Sequence, residues 1–170
     1  MVARILLLLL AGGLAAAGLS FSTPAGWRST PPASTLRVAQ FTLPHADGDA
    51  DDAELVVYFF GGSGGGVEAN MQRWVGQMQQ PDGAPSAAVA KRETRQVNGL
   101  RVTLLDVSGT YVAETAPGAA THHDNAGYRL RAGVVETPAG PYYLKLTGPR
   151  KTVAKWGQAF NEFIASMRMP

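Results

Sequence analysis

The chain has 170 residues, and its 15 Lys and Arg against 13 Asp and Glu give a formal net charge of +2. This near balance, without a basic run interleaved with aromatic residues, argues against a nucleic-acid partner. The absence of cysteine excludes disulfides, thiolate catalysis, cysteine-based zinc sites and a bacterial lipid anchor. No cofactor is predicted from the composition or from any motif.

The first 22 residues predict a secretory signal. One basic residue, Arg4, precedes an apolar stretch over residues 5–19, and small residues suited to cleavage near residues 17–23 follow. The stretch is shorter than the roughly 20 residues that cross a bilayer as a helix. We therefore expect an exported protein, periplasmic or secreted. The alternative is an uncleaved signal that anchors the chain, with no other membrane contact.

The remainder predicts a linker followed by one domain. Residues 23–35 are rich in Pro, Ser and Thr, which is typical of a tether. Trp27 is the exception, and we expect it to cap the edge of the core. Residues 36–170 have the length of a single compact domain.

Two strands and a helix are predicted at the start of this domain. A strand over residues 36–43 precedes a second over residues 54–60, whose apolar run suits a central strand covered on both faces. A glycine-rich segment, residues 61–66, is here called the glycine turn. The apolar residues that follow it share one helical face: Val67, Met71, Trp74, Val75 and Met78.

Hairpins are predicted in the second half of the chain. Asn98 and Gly99 form a strong two-residue turn signal between strands over residues 89–97 and 100–107. Residues 113–127 lose all periodicity, which indicates a lid or a disordered segment. Alternation then predicts a strand from Tyr128 and a last strand from Tyr142.

The closing segment predicts an amphipathic helix. Gly148 and Pro149 are expected in its first turn, where proline is well tolerated. Its apolar stripe comprises Val153, Trp156, Phe160, Phe163, Ile164 and Met167. Together the elements predict an α+β fold, a largely antiparallel β-sheet covered on opposite faces by two amphipathic helices in an α/β/α sandwich.

The order of these segments resembles exported bacterial proteins of the PsbP-like, or Mog/PsbP, fold class. The similar segments run AELVVYFFGGSGGGVEANMQRWVGQM, VNGLRVTLLDVSGTY and GPYYLKLTGPRKTVAKWGQAFNEFIASM. The resemblance implies a curved antiparallel sheet between helices and a binding or assembly module. It carries over no binding residue to this sequence.

The glycine turn is the first candidate site. A glycine-rich loop between a strand and a helix can hold an anion on its free N–H groups, here Gly62, Ser63, Gly64 and Gly65. The loop lacks the Lys-Ser/Thr of a P-loop, and no acidic strand end follows at the spacing of a dinucleotide fold. A flexible turn without a ligand is the competing interpretation.

A polar row on the first helix is the second candidate. Asn70, Arg73 and Gln77 are spaced to lie side by side along the helix, where Arg73 could recognise a carboxylate or a partner protein. The competing interpretation is a solvated helix edge on which Asn70 bonds the glycine turn.

A histidine pair is the third candidate. His122, His123 and Asp124, with His45 elsewhere, are residue types that bind zinc or copper. Adjacent histidines in a mobile loop are equally consistent with surface residues that hold no metal.

No paired catalytic groups are visible, and the sequence predicts a protein that is not an enzyme. The favoured function is an exported, non-catalytic binding or assembly module whose partner is an unknown protein or envelope component. The alternative is a small-ligand or metal-binding protein that uses the glycine turn or the loop of His122 and His123.

Overall fold

The computed structural model describes residues 14–16 and 18–170. Most of the predicted leader, residues 1–22, lies outside the described residues. Within the described ranges, no helix is both long and apolar enough to cross a membrane.

The described residues form ten strands, three α-helices and one short 3₁₀ turn at Ser86–Ala88. The strands are β1 (Leu14–Ala16), β2 (Leu19–Phe21), β3 (Arg28–Ser29), β4 (Arg37–Leu43), β5 (Ala53–Phe59), β6 (Met78–Gln79), β7 (Lys91–Val97), β8 (Leu100–Tyr111), β9 (Asn125–Glu136) and β10 (Tyr142–Pro149). The helices are α1 (Val67–Gly76), α2 (Arg150–Lys155) and α3 (Gly157–Ala165).

Eight of the described strands form one antiparallel sheet. Its order is β3-β4-β5-β10-β9-β8-β6, and β7 also pairs with β8. β1 and β2 form a separate two-stranded hairpin. The predicted largely antiparallel sheet is confirmed, and β5, predicted as a central strand, lies inside it between β4 and β10.

Two hydrophobic clusters lie on opposite faces of the sheet. On one face, Phe160 and Phe163 of α3 pack over Phe41 of β4. On the other face, Met71 and Trp74 of α1 pack over β8, β9 and β10. The apolar run of β5 is thereby covered on both sides, which confirms the predicted α+β sandwich.

The closing helix begins later in the structure than predicted, and it is divided into two helices. Gly148 and Pro149 are the last residues of β10, so they do not form the first helical turn. A Cβ at Gly148 would lie 2.5 Å from Ala53 Cβ, so this glycine permits close strand packing. The helix is also interrupted at Trp156, whose ψ of 8° separates α2 from α3.

The first helix is shorter than predicted. It ends at Gly76, and Met78 instead pairs with Tyr111 in the short strand β6. Met78 is still buried with Met71 and Trp74. The helical spacing therefore identified a core residue correctly but assigned it to the wrong element.

The packed part of the chain extends N-terminal of residue 36. Leu19 is 0% exposed and Phe21 2% exposed, and the Phe21 ring lies 4.8 Å from that of Phe163. Trp27, within the predicted linker, is 8% exposed and belongs to the same cluster. A leader that ended after residue 22 would remove two core side chains.

The Asn98-Gly99 turn is present as predicted, and it also makes a tertiary contact. Both residues have positive φ, 49° and 82°, as the tight hairpin requires. The Asn98 side-chain amide donates to the carbonyls of Ala165 and Met167 at 3.0 and 2.8 Å. The turn thereby caps the end of α3.

Candidate functional site: a basic and aromatic cleft

The candidate site is a cleft on the sheet face that carries α1. The side chains of β5 and β10 on this face form its floor, because Tyr58 pairs with Tyr143, Val56 with Lys145, and Glu54 with Thr147 in the register. The helix, the sheet and residues 112–124, here called the cleft loop, enclose about 730 Å³. This volume is in the range of small-molecule sites.

A β-bulge adds an arginine to the floor. The pairing of β4 with β5 shifts register between Arg37 and Ala39, so Arg37 lies opposite Tyr58. Its guanidinium carbon is 5.7 Å from the centre of the Tyr58 ring. The same guanidinium lies 3.8 Å from a carboxylate oxygen of Glu54. The bulge therefore places a cation at the floor of the cleft.

Lys145 projects from the middle of the floor. Its Nζ donates to the Tyr111 hydroxyl at 2.8 Å and lies 5.0 Å from the centre of the same ring. Burial, reinforced by the charge of nearby Arg73, lowers the pKa of Lys145 from 10.5 to about 8. Within the described residues, this half-buried ammonium has a phenol, a π face and the charge of Glu54 as its favourable partners, so its desolvation is poorly compensated.

Arg73 lies on the α1 side of the cleft, where Asn70 orients it. The guanidinium donates to the Asn70 side-chain oxygen at 2.5 Å. The Asn70 amide nitrogen donates to the carbonyls of Gly64 and Gly66, each at 3.0 Å. Because Asn70 is 2% exposed, it provides a fixed support for an arginine that is itself exposed.

Five charged side chains other than histidine line the cleft: Arg37, Glu54, Arg73, Glu114 and Lys145. Glu54 is near Arg37, and Glu114 accepts from the backbone N–H of Gly118 at 2.7 Å. Within the described part of the chain, neither Arg73 nor Lys145 forms a salt bridge. Three cations against two carboxylates leave one net positive charge, and the two cations without a carboxylate partner face the same space.

Aromatic rings form much of the remaining wall. Tyr58 and Phe60 stack at 5.8 Å with an interplanar angle of 9°, and Tyr111 lies 5.2 Å from the ring of His123. Burial raises the pKa of Tyr111 to about 12, so its phenol stays protonated at physiological pH. Flat apolar walls with a few charged groups are characteristic of ligand sites.

The cleft loop is held by its own hydrogen bonds. Val112 donates its N–H to the Gln77 carbonyl at 2.9 Å, which ties the loop to the end of α1. The hydroxyls of Thr115 and Thr121 are 2.6 Å apart across the loop, and His123 donates its backbone N–H to Ala113 at 2.9 Å. The segment predicted as a lid or as disorder has a defined hydrogen-bond network that faces the cleft.

Comparison of the sequence with protein-family models and with curated proteins finds no match. Solved structures that match include cyanobacterial PsbP (CyanoP) from Synechocystis sp. PCC 6803, 15% identical over 90% of this chain and 87% of that chain, with a TM-score of 0.52. LpqN, involved in cell envelope biogenesis of Mycobacterium tuberculosis, is 12% identical over 89% and 83%, with a TM-score of 0.56. PA94, a Pseudomonas aeruginosa protein of unknown function, is 15% identical over 83% and 88%, with a TM-score of 0.53.

The chain has a PsbP-like fold. The similarity spans most of this chain and most of each matched structure, and it confirms the resemblance drawn from the sequence segments. Identities of 12–15% establish the fold and not an activity. The function of this PsbP-like chain must therefore be argued from its own site.

The cleft joins residues from two of the candidate sites proposed from sequence. Arg73 and Gln77 of the polar row line it together with His122 and His123 of the histidine pair. Residues about 50 positions apart thus share one cavity. Asn70 contacts the glycine turn, as one interpretation proposed, and also positions Arg73.

The glycine turn does not line the cleft. Two of its carbonyls accept hydrogen bonds from side chains: Tyr143 donates its hydroxyl to Gly65 at 2.7 Å, and Asn70 donates to Gly64 at 3.0 Å. The Ser63 hydroxyl donates to the Phe60 carbonyl at 2.7 Å. Gly62 and Gly65 have φ of 90° and 82°, which a tight turn explains. These contacts support the helix and the cleft floor from beneath.

The metal hypothesis finds no supporting geometry. Over residues 14–16 and 18–170, no group of three or more His, Asp or Glu residues could hold a metal ion together. Asp124 does not line the cleft with the histidine pair. His45 is engaged by Asp52, whose carboxylate oxygen lies 2.8 Å from its Nδ1.

Sequence reasoning missed Lys145, Arg37 and Tyr111. Lys145 stands among the apolar residues of β10, where a strand lysine ordinarily indicates a solvated face. A charge between the apolar residues Leu144 and Leu146 of the predicted last strand was the signal that could have found it. Arg37 had no comparable signal, because its position depends on the bulge in β4.

Proposed function

We propose that the protein is an exported, non-catalytic binding module that holds its target, an envelope component or a segment of a partner protein, in the cleft. The observation that carries the proposal is the pair of cations Arg73 and Lys145. They face one aromatic-walled cavity without a carboxylate partner in the described chain. Lys145 is held at a desolvation cost, which an anionic target would offset.

Binding accounts for the arrangement better than covalent catalysis does. In the described residues, no serine or threonine hydroxyl is hydrogen-bonded to a histidine, so the nucleophile–base pair of a hydrolase is not assembled. His122 has its Nδ1 3.2 Å from the carbonyl of Val112. Asn70 and Tyr111 direct cations into the cavity, and such fixed cations are suited to recognition.

The exported location is part of the same proposal. It is supported by the leader pattern of residues 1–22 and by the similarity in fold to LpqN, a protein of cell envelope biogenesis. An exported module with this cleft would meet lipids, peptidoglycan precursors and the exposed segments of envelope proteins.

Site-specific photo-crosslinking in the producing cells tests this function. A benzophenone amino acid replaces Thr115, an exposed residue of the cleft loop, or Gln158, an exposed residue of α3 that does not line the cleft. We expect a discrete adduct in the envelope fraction from Thr115 and none from Gln158. Arg73→Met combined with Lys145→Met should remove the adduct.

Three outcomes would overturn the proposal. Equal labelling from both positions would show that the cleft is not the binding surface, and no adduct from either would show that the cleft has no target in the envelope. Conversion of the crosslinked molecule to a product by purified protein would replace binding with catalysis.

A further inference from the structure

The net charge of the cleft favours an anion that carries a single negative charge. Its lining has three cations and two carboxylates, so one unit of negative charge neutralises it. A phosphate monoester carries about 1.5 to 2 negative charges at neutral pH, and Glu54 and Glu114 would repel the charge beyond the first. A carboxylate, with a single negative charge, matches this balance.

The geometry of the cations also suits a carboxylate. Arg73 provides a planar guanidinium that can donate two parallel hydrogen bonds to a carboxylate. Lys145 provides a single ammonium, fixed from behind by Tyr111. A carboxylate between them would complete the coordination of both cations. It would also reduce the repulsion by which Arg73 lowers the pKa of Lys145.

The walls of the cleft describe the rest of the ligand. Tyr58, Phe60 and Trp74 offer flat apolar surface beside the cations. A ligand whose body is apolar can pack against these rings while its charged group meets the cations.

We propose that the cleft binds an apolar monocarboxylate, with the carboxylate between Arg73 and Lys145 and the apolar body on the aromatic wall. This inference rests on the proposed binding function and names its ligand class. The same chemistry is presented by a small aryl or acyl carboxylate and by the C-terminal residue of a peptide.

Calorimetric titration of the purified protein with matched probes tests the inference. The first arm compares 3-phenylpropanoate with its neutral amide, with acetate and with inorganic phosphate. The second arm compares N-acetyl-glycyl-phenylalanine with its C-terminal amide, which distinguishes a peptide source from a free carboxylate. We expect the carboxylate in each arm to bind roughly tenfold or more tightly than its amide, because a charged hydrogen-bond partner is lost.

Variants assign the binding to the two cations. Lys145→Met and Arg73→Met should each weaken 3-phenylpropanoate binding by about tenfold or more, whereas Lys145→Arg should retain most of it. Arg101→Met is the matched control, because Arg101 is exposed, pairs with Glu136 at 3.5 Å and does not line the cleft. The melting temperature of each variant verifies that it is folded.

The titrations test the ligand class, and the crosslinking experiment tests the binding function separately. Phosphate binding as tightly as the carboxylate, or amides binding as tightly as acids, would overturn the carboxylate assignment. An adduct from Thr115 in cells, together with no affinity for any probe, would overturn the ligand class and leave the binding function standing.

Discussion

The Nζ of Lys145 donates to the Tyr111 hydroxyl at 2.8 Å and lies 5.0 Å from the centre of the same aromatic ring. One tyrosine thus contacts the ammonium through both its oxygen and its π face. Because Tyr111 is the last residue of β8 and also contacts His123, it links the cleft floor to the cleft loop. This contact holds the Lys145 ammonium in the cavity. Because the ammonium is partly desolvated there, the free energy of unfolding depends on pH.

The first prediction concerns stability against pH. The pKa of Lys145 is about 8 in the folded protein against 10.5 in the reference state, so the unfolded chain binds more protons between these values. The desolvation of the charged Lys145 side chain lowers the stability of the folded state in full below pH 8. This loss of stability disappears as the pH rises toward 10.5. We expect the free energy of unfolding to rise between pH 8 and 9.5, measured by urea denaturation.

The same penalty predicts a stabilising substitution. Lys145→Met should raise the free energy of unfolding at pH 7 by about 1–3 kcal/mol and remove the rise above pH 8. Lys151→Met, at an exposed lysine of α2, is the control and should preserve the rise. Measurements stop at pH 9.5 because Tyr111 and Tyr128, with pKa values raised to about 12, destabilise the fold above pH 10.

The second prediction concerns the glycine turn. A Cβ at Gly64 would lie 2.5 Å from the Tyr143 ring and 2.6 Å from the Phe60 ring, both of which line the cleft. We expect Gly64→Ala to lower the free energy of unfolding by roughly 1–3 kcal/mol through overpacking. Gly66→Ala is the matched control, since nothing lies within 4 Å of its Cβ position. Equal effects would show that the limited space beside Tyr143 and Phe60 does not require glycine at residue 64.

The sequence predicted the layers of the fold well because they depend on periodicity. The apolar spacing identified the burial of Trp74 and Phe163, and the alternation in β10 identified its core face. Element ends were less accurate, since Gly148 could begin a helix or end a strand by local preference alone. In the structure, Gly148 pairs with Arg129 of β9 and packs closely against Ala53, and neither contact can be read from the local sequence.

The candidate site was predicted in part, for a different physical reason. Arg73 and Gln77 were found because helical spacing places them side by side. Their meeting with His123 and Lys145 depends on which strands neighbour each other in the sheet, and one sequence does not specify that order. The strand order of the sheet brings the cleft residues together, and these residues come from segments that share no local sequence pattern.

The third prediction concerns the N-terminal edge of the domain. A chain that begins at Thr23 lacks Leu19 and Phe21, which are 0% and 2% exposed. By analogy with large core truncations, which cost about 3–5 kcal/mol, it should be several kcal/mol less stable to urea than a chain that begins at Gly18. Phe21→Ala in the longer chain should reproduce much of that loss. Equal stability of the two chains would show that β2 does not contribute to the core.

This edge also predicts where the leader ends. The small residues at positions 15 and 17 suit cleavage after residue 17, which retains β2, whereas cleavage after residue 22 removes it. We therefore expect the intact mass of the mature protein to correspond to a chain that begins at Gly18. A mass that corresponds to a start at Thr23 would contradict the prediction.

The last prediction concerns the pH dependence of ligand binding. The groups that face Lys145 from the surrounding elements are Arg73 of α1, Arg37 of β4, Glu54 and Tyr58 of β5, and Tyr111 of β8. A bound carboxylate favours the charged ammonium, so binding raises the pKa of Lys145 above its free value of about 8. Protons are then taken up on binding, and affinity falls as the pH rises.

We expect the Kd of 3-phenylpropanoate to be constant below pH 8 and to rise up to about tenfold per pH unit above it, because one proton is linked to binding. Lys145→Arg should bind with a Kd that is flat to pH 9.5, since an arginine does not titrate there. His123→Asn should keep the wild-type profile, which separates the lysine from the imidazole in the cleft loop. A wild-type Kd that is flat through pH 9.5 would show that Lys145 does not contact the bound anion.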